Sequence, residues 1–286
     1  MRFTFTYVSF PALAAAGAML VGGAVSPLQA AVISNVNTAS RVVQDSGVTG
    51  QDDDGNTSTL ENNVQTFSFD AGSSAEAVVL GLTSESNLGT GDVSISYAGS
   101  SNTFTPAIDH SGSQPSIWSL NLGGTGYSGG SADLDVDLTA ASTVNGLGLG
   151  IASVSTSNGL GIESHATGTS GGTGSGSESV SLTTTADSSY VLAAYRENSS
   201  SDNDIATADS PLTQIYNAQT GSSQGVAGYD EDVAAGTTTF SFTPDSTSNQ
   251  RNTSAAAFTA VPTPGALPAG LALLGGMAMI RRRRKA

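Results

Sequence analysis

The chain has 286 residues, no cysteine, and nine Lys and Arg against 24 Asp and Glu, for a formal net charge of −15. Without cysteine there are no disulfides, thiolate metal sites or thiol catalysis, so the fold stands on its core. Six of the nine basic residues lie at the ends, leaving residues 31–260 with three arginines against all 24 acids, a formal −21 that repels nucleic acid and anionic lipid and excludes phosphate recognition.

Arg2 precedes the apolar stretch Phe10 to Val21, and small residues lead to Ala30. Residues 1–30 therefore read as a secretory signal peptide cleaved after Ala30 or Ala31, with an uncleaved anchor as the alternative. Residues 31–260 suit one large all-β domain or two small ones, and a single domain is the preferred reading. No long amphipathic helical pattern occurs; short alternating runs are separated by Gly, Ser, Asn and Asp clusters.

Val64 to Phe69 alternates with Phe67 and Phe69 on one face, and Ala77 to Leu82 is nearly continuous apolar sequence. Val93, Ile95 and Tyr97 share a face, as do Trp118, Leu120 and Leu122. Leu134, Val136 and Leu138 alternate with Asp133, Asp135 and Asp137, which predicts a strand with one solvated side. Leu147, Leu149 and Ile151 alternate with Gly146, Gly148 and Gly150, leaving one face bare for a neighbouring layer or, alternatively, a ligand.

Residues 164–179 are mostly Gly, Ser and Thr and read as a long flexible loop, or else a linker. Val180 to Thr185 and Tyr190 to Tyr195 follow as strands needing cover on both faces. The remaining predicted strands are Leu212 to Tyr216, Val226 to Tyr229, Thr237 to Phe242 and Ala255 to Ala260. Together these predict a single antiparallel β-sandwich over 31–260. The order of the runs from Tyr190 to Phe258 resembles secreted bacterial jelly-roll, lectin-like domains, a resemblance that implies a fold and no ligand.

Candidate chemistry is sparse. Ser128 and Ser170 fit G-x-S-x-G, but neither lies between a strand and a helix. His110 and His165 read as polar loop residues, too few for zinc. Acidic turns offer oxygens for calcium at Asp52 and Asp54, at Asp202, Asp204 and Asp209, and at Asp230 and Asp232, the alternative being solvated turns. Tyr127, in a Gly-rich loop, is the candidate ring for stacking on a ligand such as a sugar.

The tail, 261–286, has three parts: Val261-Pro262-Thr263-Pro264, an uncharged run from Gly265 to Ile280, and the cluster Arg281, Arg282, Arg283, Arg284 and Lys285. As a helix the run spans roughly 24 Å, short for a bilayer core of roughly 30 Å, and the basic cluster would hold the C-terminus in the cytoplasm.

This layout resembles the PEP-CTERM sorting signal, with Thr263 where that family usually carries Glu. The resemblance implies recognition by an exosortase, a membrane-embedded transpeptidase-like enzyme of Gram-negative bacteria that make exopolysaccharide. It implies export, a single-pass membrane stage, then residence at the cell surface or in the extracellular matrix. An ordinary C-terminal anchor is the alternative. The expected function is non-enzymatic, with a carbohydrate-binding module, Ca²⁺-assisted or not, and a glycan-active hydrolase as the other readings; no other cofactor is expected.

Overall fold

The computed structural model describes residues 33–44, 64–85, 87–123, 125–141, 144, 146–156, 159–170, 177–198, 206–220, 223–244 and 250–261. Among these it is all-β and antiparallel, as the alternation predicts. The first eight strands are β1 (Ser34–Gln44), β2 (Val64–Asp70), β3 (Ala77–Ser84), β4 (Ser94–Tyr97), β5 (Thr105–Ile108), β6 (Ser116–Asn121), β7 (Ser131–Asp137) and β8 (Gly146–Ser155). The next eight are β9 (Leu160–Ser170), β10 (Glu178–Thr184), β11 (Ser189–Asn198), β12 (Thr207–Ala208), β13 (Thr213–Thr220), β14 (Ser223–Val233), β15 (Gly236–Thr243) and β16 (Arg251–Ala260).

The strand orders reveal an internal repeat. Strands β1 to β8 form a five-stranded sheet ordered β1-β8-β3-β6-β5 and a three-stranded sheet ordered β2-β7-β4. Adding eight to every label gives β9-β16-β11-β14-β13 and β10-β15-β12, the two sheets of the second half. One winding has been used twice.

Each repeat closes its own core between its two sheets. In the first, Phe67, Phe69, Leu134, Val136 and Tyr97 meet Leu80, Leu82, Trp118, Leu149 and Ile151. In the second, Val180, Leu182, Phe240 and Phe242 meet Val191, Ala193, Tyr195 and Ala257. The opposite faces of the two five-stranded sheets then pack together, with Ala77, Val79, Ile117 and Val154 against Tyr190, Leu192, Ala256 and Phe258. Side chains alternate across a strand, so β3 and β11 fill two cores at once and read as unbroken apolar runs.

Glycine sets how closely the repeats approach. A Cβ on Gly81 would lie 3.5 Å from the Cβ atoms of Ala194 and Ala227, and one on Gly150 would lie 2.8 Å from Ala227 and 2.9 Å from the Tyr216 ring. The bare glycine face of β8 thus receives a neighbouring layer.

Three expectations need correction. The arrangement is four sheets in two repeats rather than one two-sheet sandwich, because both faces of each five-stranded sheet are apolar. Val180 to Thr184 belongs to the edge strand β10, whose inward residues Val180, Leu182 and Thr184 alternate with exposed ones, so it needs cover on one face only. Residues 164–170, expected to be loop, continue β9 along β16 in pairs running from Ser164↔Ala257 to Ser170↔Arg251.

Candidate functional site

Of the tail residues, Val261 alone is described; Pro262, Thr263, Pro264 and Arg281 to Arg284 lie outside the described residues, as do Ala30, Ala31 and the apolar run. Among the described residues no helix is long and apolar enough to cross a membrane. Val261 follows β16, an interior strand bonded to β11 on one side and to the sheet-edge strand β9 on the other. Its N–H donates to the Gly159 carbonyl at 3.0 Å, extending the β16–β9 ladder beyond the Ala260↔Leu160 pair. Asn121 of β6 secures the start of β9: its Oδ1 accepts from the Leu160 N–H at 2.6 Å, and its Nδ2 donates to the Leu160 carbonyl at 2.9 Å. The junction between domain and tail is therefore fastened to both repeats.

The described calcium candidates are used separately. Asp209 accepts from the Thr243 hydroxyl at 2.8 Å. Asp232, in left-handed backbone at φ 59°, accepts from Ser188 at 2.6 Å. Asp230, Glu231 and Asp232 lie on β14 and not in a turn, and Glu231 accepts from the Asn35 N–H at 2.7 Å. Burial raises the Asp230 carboxyl above the usual range, and its acidic neighbours Glu231 and Asp232 add to that. No group of three His, Cys, Asp or Glu side chains with metal-holding geometry occurs among the described residues. Asp52, Asp54, Asp202 and Asp204 lie outside them.

On β7, Asp135 accepts from Thr66 at 2.7 Å and Asp137 accepts from the Thr139 N–H at 2.9 Å. These carboxylates follow one another along one strand face, where same-face side chains diverge.

Tyr127 is half-buried. Its ring packs on Tyr97 at 5.5 Å between centroids, and its hydroxyl donates to the Gly130 carbonyl at 2.8 Å. The other side borders a shallow hollow of ≈ 520 Å³ shared with Glu76, Leu122 and Ser128. Ser128 has no strand-to-helix setting, and Ser170 closes β9.

The histidines differ. His165 is exposed on β9, not in a loop, and His110 lies in the loop after β5 but is only 1 % exposed, so the reading of both as polar loop residues is corrected. Trp118 Nε1 donates to Ser116 Oγ at 2.7 Å, and Ser116 Oγ lies 2.9 Å from His110 Nε2. Trp118 fills one acceptor site of the serine oxygen, and the direction of its bond to Nε2 follows the imidazole tautomer. Burial lowers its pKa to about 4, opposed by a hydrogen bond to the Gln114 backbone and the charge of Asp92. Ser116 and His110 form a hydroxyl–imidazole pair, but both are buried, at 0 % and 1 % exposure, with no surface open to a substrate.

Sequence reasoning missed the buried charges. Arg251 is 2 % exposed and lies 3.1 Å from Glu178 and 3.8 Å from Glu197, whose Oε2 also accepts from Tyr195 at 2.7 Å. Arg196 faces the other repeat: it donates to the carbonyls of Glu85 and Ser113 and, at 3.1 Å, to Ser223 Oγ. Burial lowers its pKa to about 10, so it stays charged. The available signal was an Arg-Glu pair directly after the apolar run Tyr190 to Tyr195.

Glu163 was missed as well. It accepts from the Thr185 N–H and hydroxyl, the Ala186 N–H at 2.9 Å and Ser189 at 2.7 Å, tying β9 to the turn before β11. Burial alone would raise its pKa, but these donors outweigh it and hold the carboxylate below its ordinary value.

Comparisons with protein families, curated proteins and solved structures return no match.

Proposed function

We propose that the chain is an exported, non-enzymatic protein of the cell surface or exopolysaccharide matrix, sorted through its C-terminal tail by an exosortase-type membrane transpeptidase. The observation that carries the reading is the three-part tail, with a Pro-containing box, an uncharged run and four consecutive arginines, appended to residues 31–260, which hold no lysine. The opposed chemistry of tail and domain fits a basic stop on the cytoplasmic side and an acidic cargo outside. In this reading the signal peptide is removed near Ala30 and Ala31, and the helix over Gly265 to Ile280 is a temporary single-pass anchor. The strand order supports reading each repeat as an eight-stranded jelly roll, a two-sheet winding found in lectin domains.

Replacing Arg281 to Arg284 by alanine tests the sorting role. The expected result is loss of surface or matrix deposition with synthesis unchanged. Normal deposition of that variant, or recovery of the wild-type domain from the cytoplasm with both ends intact, overturns it.

A second reading, carbohydrate binding, is favoured by the ≈ 520 Å³ hollow lined by Tyr127, Glu76 and the loop residues Gly126 to Gly129. A glycan array run with and without Ca²⁺ tests it: binding lost on Tyr127→Ala supports the reading, and a blank array in both conditions removes it.

A further inference from the structure

The domain leaves its tail no slack. Val261 is bonded to Gly159 at the end of the β16–β9 ladder, and three residues separate it from Gly265, where the apolar run opens. A stretch of three residues reaches at most about 11 Å even when fully extended. Enzymes that read a peptide segment commonly take it as an added extended strand, with its backbone N–H and C=O groups turned to the enzyme. At Val261 the N–H is already given to Gly159. Upstream, each residue from Arg251 to Ala260 is paired with β9, and most also with β11.

The pairing has its own fastening. Asn121 grips both backbone groups of Leu160, the residue next to Gly159. A Cβ on Gly159 would fall 2.7 Å from Asn121 Oδ1, so the turn fits against this side chain only as glycine, at φ 85°. Leu160 itself is 6 % exposed and belongs to the core between the repeats. Next to the junction, Ile162 is 42 % and Val261 37 % exposed, apolar side chains at the point where the chain departs for its apolar run.

We propose that Val261 has two mutually exclusive roles, last rung of the β16–β9 ladder and first residue of the recognition box, so that the processing enzyme cuts only chains whose β16 end is released from β9. This rests on the sorting reading above. Tail removal breaks one peptide bond, the acyl side passing to water or an acceptor amine and the amine side leaving with the tail. The gate is local opening of a sheet end, which needs less free energy than unfolding the domain. Removal is then fastest on newly exported chains whose last strand has not docked, and slow once the Asn121 fastening has formed.

The test is pulse-chase of the full-length chain in its native cell, following loss of the tail by mass. One variant carries six Gly/Ser residues between Ala260 and Val261, which frees the box and leaves it intact. A second is Asn121→Ala, which loosens the start of β9. The expected result is tail removal about fivefold faster or more in both, the factor by which losing one hydrogen bond shifts a local opening equilibrium. Removal at the parental rate from the insertion variant, with the domain folded by circular dichroism, overturns the proposal. A tail retained equally in all three chains, with and without the membrane enzyme, overturns the sorting reading itself and the proposal with it.

Discussion

The two repeats share one winding and fill it differently. In the first, the rung between β3 and β8 pairs Ser84 with Leu147; at the matching place in the second, β11 and β16 pair Glu197 with Arg251. The first core is closed by Phe67, Phe69, Tyr97, Trp118 and several leucines, whereas the second relies on alanines and phenylalanines with an arginine between two glutamates at its end. Topology therefore does not dictate what holds a repeat together. An apolar core loses stability in proportion to the volume removed, while a buried ion pair fails abruptly when one partner goes.

The largest effect expected from this contrast is at Arg251. Arg251→Ala leaves Glu197 and its neighbours without their cation and should destabilise by about 3–5 kcal/mol, read as a lowered midpoint in denaturant. A midpoint unchanged within error would show that the second repeat does not depend on its ions.

In the first repeat the acid response comes from His110. Its folded pKa of about 4 lies below the ordinary 6.5, so the unfolded chain takes up the proton first, and stability falls as pH drops from about 6.5 toward 4. The full loss is on the order of 3 kcal/mol and should vanish in His110→Asn when measured relative to that variant's own stability at neutral pH. A pH profile with the same slope in both chains contradicts the assignment.

Between the repeats, Gly150→Val would press on Ala227 and Tyr216 and is expected to destabilise by about 1–3 kcal/mol. The smallest effect is at Glu163. Glu163→Gln keeps one acceptor oxygen, and since the side chain is only half-buried and solvent screens it, the expected loss is about 1 kcal/mol. Because the folded pKa is depressed, this contribution is present above the ordinary carboxylate pKa and disappears as pH falls through the lowered value. A thermal melt of Glu163→Gln should therefore differ from wild type at neutral pH and converge on it in acid.

What the sequence made legible follows from periodicity. Strands with one buried face, such as β2 and β7, could be read directly from the alternation of Phe67 and Phe69 or of Leu134, Val136 and Leu138. Strands β1, β5, β9 and β12 could not: they lie at sheet edges, as the legible β2 and β10 also do, but lack the strict apolar–polar alternation of those two. Such a strand shows polar residues on several sides, as in Ser164 to Ser170, and its pairing is imposed by a neighbour remote in the chain. The duplication was hidden for a related reason: the repeats share strand order and burial pattern but place Leu147 where the other has Arg251. His110 does lie in a loop, but its burial was illegible because Ser116, which bonds it, and Trp118, which packs near it, meet it only through the fold. The acidic turns were visible as residues, yet Asp209, Glu231 and Asp232 each bond a different neighbour, and sequence carries no direction for a side chain.

The functional claim rests on the two ends of the chain, and intact-mass analysis of the protein from the native envelope and from the medium tests it most directly. The account predicts an N-terminus created next to Ala30 or Ala31 and a C-terminus lacking the apolar run and the arginines 281–284. A species ending at Ala286 with its N-terminal thirty residues still attached, as the main form in both fractions, would contradict it.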